Sequence, residues 1–277
     1  MKNDIRGRFL DPLRRQKQRM IVQWRRIVGK RWALRGVKPL TSDAARCLPT
    51  FCVSLQSDEA KRRFMQLQAE RLGLCAFSFL DAIDGRSISK EDFEKQGVYD
   101  DALAQRYENS SVSAANIALC LSHFRLWKAI ANAGWPAVMI LEDDAVFHGK
   151  RIASVDPSSF PAEWDVVFLD AYIRHKPPRG QIQGTLFSME SYRGGTAGYI
   201  ISASGARKLL RMASVPVCHP IDGYMGWYNH HRLENIPPWK GMELPPLHEY
   251  LIYPRPITNG SLFGFWPSSI GKSMPDY

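Results

Sequence analysis

The run Pro136-Ala-Val-Met-Ile-Leu-Glu-Asp-Asp144 constrains the fold of this chain more than any other stretch. Residues Ala137 to Leu141 are apolar without alternation, and a short apolar run bounded by a proline and by charges reads as a strand covered on both faces. Strands of that kind belong to parallel sheets with helices on either side, so the run predicts an α/β architecture. Its carboxyl end carries three successive acids, Glu142, Asp143 and Asp144. Adjacent carboxylates repel one another and resist desolvation, so a strand tip that holds them calls for a cation or for donors. Oxygen ligands suit Mg²⁺ or Mn²⁺, ions commonly shared with substrate phosphates. A solvated acidic turn is the plainer alternative. Ligands do collect at the carboxyl ends of strands in open α/β sheets, and both readings stand at this point.

The flanking patterns extend the sheet. Phe51 to Leu55 reads as a short buried strand, and a helical stretch from Asp58 follows, with Ala60, Phe64, Leu67 and Leu72 on one side and Gly73 as its stop. Leu74 to Leu80 reads as a second strand, closing in Asp81-Ala-Ile-Asp-Gly85. Strand, helix, strand with short connections is a βαβ unit, which requires parallel strands. Residues 89–106 are polar and predict short helical pieces. Ala114 to Ala133 predicts a strong helix with Ile117, Leu121, Phe124 and Ile130 inward and Gly134 after it. Ser122 and His123 sit inside it, and a lone helical histidine is more often packed than catalytic.

Asp165-Val-Val-Phe-Leu-Asp170 predicts another strand ending in an acid, and Gly194-Gly195 precede a strand over Thr196 to Ser202. Ser204 is the expected cap of a helix over Ala206 to Met212. Asp222 then precedes Tyr224, Trp227 and Tyr228. Aromatic rings beside a carboxylate suit a sugar, whose apolar faces stack while its hydroxyls need polar partners; a core cluster with a capping Asp has the same composition.

Charge divides the chain in two. Of the 37 Lys and Arg residues thirteen lie in residues 1–40 with only Asp4 and Asp11, a net of +11, leaving 24 basic against 25 acidic residues in the rest. The basic character therefore belongs to an extension over residues 1–46, and a catalytic domain over 47–277 is near neutral, so the overall charge is no argument for nucleic-acid binding. Within the extension Leu13, Met20, Trp24 and Ile27 recur at helical spacing among cations, which predicts a helix on an anionic membrane surface; a solvated tail is the alternative. Lys38 to Arg46 reads as a linker. The five cysteines are odd in number and lack metal-ligand spacing, and Cys52 and Cys120 fall in apolar runs, as small core residues of a reducing compartment do. With neither a leader-like apolar core nor an apolar run of about twenty residues, a cytoplasmic protein, peripheral on the inner face of the membrane, is expected.

Six motifs resemble glycosyltransferase family 25 in order: Phe51 to Leu55 with Arg62-Arg63, Asp81-Ala-Ile-Asp-Gly85, Leu121-Ser-His123, Ile140-Leu-Glu-Asp-Asp-Ala145, Tyr199-Ile-Ile-Ser202 with Gly205-Ala206, and Pro220-Ile-Asp222. The family includes bacterial lipooligosaccharide β-galactosyltransferases and, more distantly, collagen galactosyltransferases. The resemblance covers residues 49 to about 255. It departs at Ala118-Leu119, where the family pattern has Gly-Cys, and past Pro256.

This resemblance implies a GT-A type, doubly wound, mostly parallel sheet and an inverting transfer of a sugar, galactose, from a UDP-sugar to a saccharide acceptor, glycan or glycolipid, of lipopolysaccharide, lipooligosaccharide or another surface glycan. It implies Mn²⁺ or Mg²⁺ held by two of Glu142, Asp143 and Asp144. Ser54, Arg62 and the Asp81 to Asp84 loop would receive uridine and ribose, with Ser122 and His123 also at the substrate. Asp222 would be the base that takes the acceptor proton, and Asp170 the second candidate. Two other classes compete: a metal-dependent phosphohydrolase, which would explain the acids, and a non-catalytic membrane-surface adaptor, which would explain the basic segment.

Overall fold

Alternate residues of the central strands feed two different cores, one on each face of a single sheet. The structure, a computed structural model, describes residues 17, 20, 21, 23–171, 178–189, 195–230, 238–261 and 264–267. Its strands are β1 (Thr50–Ser54), β2 (Phe77–Asp81), β3 (Val138–Glu142), β4 (Ala145–Phe147), β5 (Val166–Phe168), β6 (Gln181–Gln183), β7 (Leu186–Ser188), β8 (Gly198–Ile201), β9 (Glu249–Ile252) and β10 (Ile257–Asn259). In β3, Val138 and Ile140 enter one core while Met139 and Leu141 enter the other. The same alternation divides Val166 and Phe168 from Val167, and Tyr199 and Ile201 from Ile200. Burying each such side chain contributes about 1.5–3 kcal/mol, which is why an unbroken apolar run is required here.

The strand order is β2-β1-β3-β8-β5-β9-β7-β6, with β10 and β4 forming a separate pair. β2, β1 and β3 are mutually parallel, β8 opposes both β3 and β5, β9 is parallel to β5, and β7 opposes β9 and β6. Six of the eight strands thus point one way and β8 and β7 run back, so the sheet is mixed but mostly parallel, as expected for this α/β fold. The βαβ unit is present, with β1 parallel to β2 around helix α1 (Glu59–Leu72). One end of the sheet consequently gathers the carboxyl termini of β1, β2, β3 and β5 and the residues that enter β8.

Helix α2 (Ala114–Ala133) starts where the Ser113 side chain accepts from the Asn116 N–H at 3.2 Å and stops at Gly134, which has a left-handed backbone. It packs against α3 (Ala203–Met212) and α4 (Ile221–His230) on one face of the sheet. Two local expectations are corrected. Ser202, not Ser204, caps α3, because this residue, directly after β8, still has the extended backbone a cap needs and its hydroxyl accepts from Gly205 N–H at 3.0 Å. β2 starts at Phe77 and not at Leu74, because Leu74 N–H closes the end of α1 on Ala69 O at 3.1 Å.

The stretch read as a linker is folded onto the body. Val37 and Leu40 are buried in the core on the α1 face, Leu40 N–H bonds to Leu72 O at 3.0 Å, and Asp43–Arg46 forms a helical turn. Those apolar residues have no other place to bury, and the polar residues around them conceal the pattern. Residues Lys30–Gly36 are helical, with Lys30 Nζ 3.0 Å from the centre of the Trp266 ring. Met20, Ile21 and Trp24 are 64%, 39% and 52% exposed; Leu13 and the Ile27 side chain lie outside the described residues. Among the described residues no helix is long and apolar enough to cross a membrane.

Candidate active site

The three acids after β3 go to different places because successive residues leave a strand in opposite directions. Asp143 faces α1, where both its oxygens are engaged: Oδ2 accepts from Ser54 Oγ at 2.9 Å and Oδ1 from Lys61 Nζ at 3.0 Å. Lys61 is buried on the apolar side of α1 and also lies 3.4 Å from Asp58. Burial works to lower its pKa, but the charges of Asp143, Asp144 and Asp58 outweigh that and leave it raised, so it stays an ammonium ion.

Arg62, the next residue, donates to Ser54 O at 2.9 Å, to Leu55 O at 3.1 Å and to the Asp81 carboxylate, tying the end of β1 to that of β2. Asp84 is paired with Arg86, whose hydrogen bonds lower the Asp84 pKa. Ser122 accepts from Ile83 N–H at 3.0 Å and donates to Ala118 O at 2.7 Å, holding the Asp81 to Asp84 loop against α2. Ser54, Arg62, Asp81, Ser122 and Asp143 are thus brought together in one network.

Glu142 and Asp144 turn toward a different neighbour, Asp170, which lies beyond the end of β5. Glu142 accepts from Thr196 Oγ1 at 2.5 Å. Asp170 Oδ2 accepts from Ala197 N–H at 3.1 Å, and Asp144 Oδ2 from Ser261 N–H at 3.1 Å. The other oxygen of Asp144 and of Asp170 is buried with no hydrogen-bond partner among the described residues. Burial, with the charges of Asp144 and then Asp170, raises the Glu142 pKa to about 8. Burial, with the charge of Asp144, raises that of Asp170 to about 8 as well. Gly195 makes the approach possible: its φ is +115°, and a Cβ there would stand 2.9 Å from the Asp170 carboxylate.

These residues allow a metal without enclosing one. Among the described residues no three His, Cys, Asp or Glu side chains converge as a ready cage. Two mutually repelling carboxylates with open oxygens nonetheless fit an ion such as Mg²⁺, which takes one or two protein carboxylates and completes its shell from substrate phosphates and water.

His123, next to Ser122 on α2, has different neighbours. It is fully buried, its pKa is lowered to about 3 by burial, and its Nδ1 is 2.8 Å from Tyr199 Oη. Trp127 Nε1 donates to the same hydroxyl at 2.8 Å, and the Nε2 of the ring is buried with no hydrogen-bond partner among the described residues. Asp222 is in the first turn of α4, apart from the acids of β3 and β5. Its Oδ1 accepts from Gly223 N–H at 3.0 Å, and burial followed by the charge of Glu108 raises its pKa. Glu108 in turn meets His219 Nδ1 at 2.5 Å. Tyr224 and Tyr228 belong to the core, with hydroxyls on Pro216 O and Pro245 O, which replaces the sugar-stacking reading for both; the Trp227 side chain lies outside the described residues.

The sequence reading missed Lys61, Thr196 and Gly195. Lys61 had a signal, since it falls on the stripe Lys61, Phe64, Gln68 and Leu72 that α1 buries, and a lysine in such a stripe requires an anion. Gly195 and Thr196 had only the signal of small residues that let a neighbour approach closely, and which neighbour that is depends on strands brought together from far apart in the chain.

The sequence profile of Glycosyltransferase family 25 (LPS biosynthesis protein) matches residues 47–225. A Glycosyltransferase 25 family member of Aedes aegypti is 26% identical over 75% of this chain and 36% of its own length. Procollagen galactosyltransferase 1 of Danio rerio is 25% identical over 73% of this chain and 35% of its own. A Bos taurus relative, 24% identical over 53% of this chain and 26% of its own, is named a probable inactive glycosyltransferase 25 family member 3. The chain spans about a third of the length of the first two relatives. The apo structure of mouse xyloside xylosyltransferase 1 aligns over 83% of this chain and 91% of its own with a TM-score of 0.33 and 11% identity, too loose a match to bear on fold or chemistry. The match of one family profile from the residue before Leu48 through the first turn of α4 takes in β1, the acid triplet, Asp170 and Asp222 alike, and the chain belongs to glycosyltransferase family 25.

Proposed function

We propose that this chain is an inverting glycosyltransferase that moves a hexose, galactose in our reading, from a UDP-sugar to a hydroxyl of a saccharide acceptor on a lipopolysaccharide, lipooligosaccharide or other surface glycan. The observation that carries the reading is the pair of buried carboxylates, Asp144 and Asp170, each with an unpartnered oxygen beside Glu142, at the carboxyl ends of β3 and β5. A folded chain keeps such oxygens unpaired at a cost unless something binds there. The names of the relatives, galactosyltransferase and LPS biosynthesis protein, supply the sugar and the acceptor class of the proposal.

When bound there, Mn²⁺ or Mg²⁺ would supply positive charge to the diphosphate of the leaving UDP. Asp144 and Asp170, with Glu142, would hold it. Ser54, Arg62, Asp81 and Asp84 would form the donor side, where Arg62 fixes the turn that receives the nucleoside; Ser122 supports that loop from α2, and His123, buried against Tyr199, would act only through the packing behind it. The acceptor oxygen attacks the anomeric carbon on the face opposite UDP, the bond to UDP breaks, and Asp222 takes the hydroxyl proton. Its raised pKa suits a base better than an ordinary carboxylate's. Asp170 is second for that task, since it is fully buried and an acceptor cannot readily reach it.

The test is UDP release from a panel of UDP-sugars with and without saccharide acceptor, in Mn²⁺ and in chelator. Acceptor-stimulated, metal-dependent release is expected. Release of inorganic phosphate would instead make it a phosphohydrolase, and no turnover with any donor would leave the adaptor. Exposed Met20, Ile21 and Trp24 among cations further support peripheral attachment to the anionic cytoplasmic leaflet. Trp24→Ser should lower co-sedimentation with anionic vesicles, and an unchanged fraction would remove that role.

A further inference from the structure

Two of the five cysteines are exposed, and they stand side by side although 28 positions separate them. Cys47 follows the helical turn Asp43–Arg46 and leads into β1; Cys75 follows α1 and leads into β2. Thr50 and Phe77 are ladder partners in the parallel pair β1–β2, so the two lead-in segments run beside each other. Cys75 N–H bonds to Arg46 O at 3.0 Å, and the side chains of Cys47 and Cys75 are hydrogen-bonded to each other. Adjacent strands lie about 4.8 Å apart, inside the Cα separation of about 4.4–6.8 Å that a disulfide spans. Each backbone is held independently of the sulfurs, Cys47 by its N–H on Asp43 O at 2.9 Å and the turn before Cys75 by Leu74 N–H on Ala69 O. Cys52, Cys120 and Cys218 are buried.

We propose that Cys47 and Cys75 form a reversible dithiol–disulfide site that clamps β1 to β2 when the chain meets a small-molecule disulfide such as oxidised glutathione. Both thiols are exposed, so either can attack first; with Cys75 leading, the exchange runs in two steps. The Cys75 thiolate attacks one sulfur of oxidised glutathione, forming a mixed disulfide and releasing one glutathione thiolate. Cys47 gives its proton to water, its sulfur attacks Cys75, and the second glutathione leaves. Two protein thiols are oxidised and one glutathione disulfide is reduced to two thiols. The bond closes a loop holding β1 and α1, which narrows the unfolded ensemble and so favours the folded one. It lies at the amino ends of β1 and β2, the end of the sheet away from Ser54, Asp81 and the acids.

The experiment treats the full chain with oxidised glutathione, digests it without reductant and maps the peptides by mass. The expected product is a Cys47–Cys75 peptide pair lighter by two hydrogens, with no glutathione retained, and a melting temperature above that of the reduced protein. Cys47→Ser and Cys75→Ser should each instead keep one glutathione on the remaining exposed cysteine. Glutathione retained on Cys47 or Cys75 of the unsubstituted chain, a bond between two chains, or an oxidised protein that melts no higher than the reduced one would each overturn the proposal.

Discussion

Asp143 and Asp144 are neighbours in sequence and opposites in environment. Asp143 is surrounded by charge and hydrogen bonds that satisfy it, from Ser54 and Lys61, with Arg62 and Asp81 extending the network. Asp144 points into a cluster of its own sign, with Glu142 and Asp170 raised to about 8 and neutral donors as the partners seen. The first arrangement holds β1, α1 and β3 in register. The second is a concentration of unneutralised acid, which costs stability and offers a place for a cation. One peptide unit divides a paired anion from an unneutralised one, so removing the charge at the two positions should have opposite results.

The largest effect is expected at the satisfied side. Asp143→Ala leaves the buried Lys61 ammonium with only Asp58 at 3.4 Å. Losing one partner of a buried pair costs about 3 kcal/mol, readable as a lower denaturant midpoint with unchanged slope. Lys61→Met in the same chain should return much of that loss. A stable Asp143→Ala protein would erase the distinction between the two acids.

Asp144→Asn should do the reverse. It removes the charge that raises both Glu142 and Asp170, so the melting temperature at pH 8 should hold or rise. Transfer should fall at least tenfold, about 1.4 kcal/mol of transition-state stabilisation, and added Mn²⁺ should no longer raise the melting temperature. Full transfer in this variant would detach the acid cluster from the chemistry.

The unneutralised side also sets a pH dependence. Glu142 and Asp170 have folded pKa values raised to about 8 from 4.5 and 3.8. Between those limits the folded chain binds more protons than the unfolded one, so stability falls as pH rises from about 4 to about 8. Below that window both states are protonated, and above it both are ionised. Mn²⁺ binds the ionised carboxylates, so it should raise the melting temperature more at pH 9 than at pH 5. Melting curves across that range, with and without Mn²⁺, would sharpen the comparison; a metal effect independent of pH would contradict it.

Much of this could be read from the chain. The apolar run before Glu142 marked a two-faced strand, the spacing from Asp58 to Gly73 marked α1, and the acids at strand ends marked the edge where carboxylates gather, because each rests on a local pattern of burial or charge. The fate of each acid could not be read. Whether a carboxylate meets Lys61 or Asp170 depends on which strand lies beside β3, and β8, inserted antiparallel between β3 and β5, is placed by contacts across some sixty residues of chain. The packing of Val37 and Leu40 was hidden for a similar reason: two apolar residues among Gly, Lys and Pro make no periodic pattern, yet both are in the core.

The smallest expected effect concerns how the unneutralised side is held at all. Thr196 Oγ1 donates to Glu142 Oε1, and that hydrogen bond lowers a pKa which burial and Asp144 raise. Thr196→Val keeps the shape and removes the donor, costing about 1 kcal/mol, the net contribution of one hydrogen bond. The loss should depend on pH, because the bond favours the ionised carboxylate. Above about pH 8 Glu142 is charged in both folded and unfolded chains, so the whole contribution is missing from the variant. Below it Glu142 is protonated in the folded chain and can turn its own proton to another acceptor, so the variant should approach the parent. Thr196→Val would also raise the Glu142 pKa further, extending the pH range over which stability declines. Urea unfolding of parent and variant at pH 6 and pH 9 measures both terms. A gap wider at pH 6 than at pH 9 would mean that Thr196 serves the protonated acid, and would overturn its role as the donor that holds the Glu142 anion.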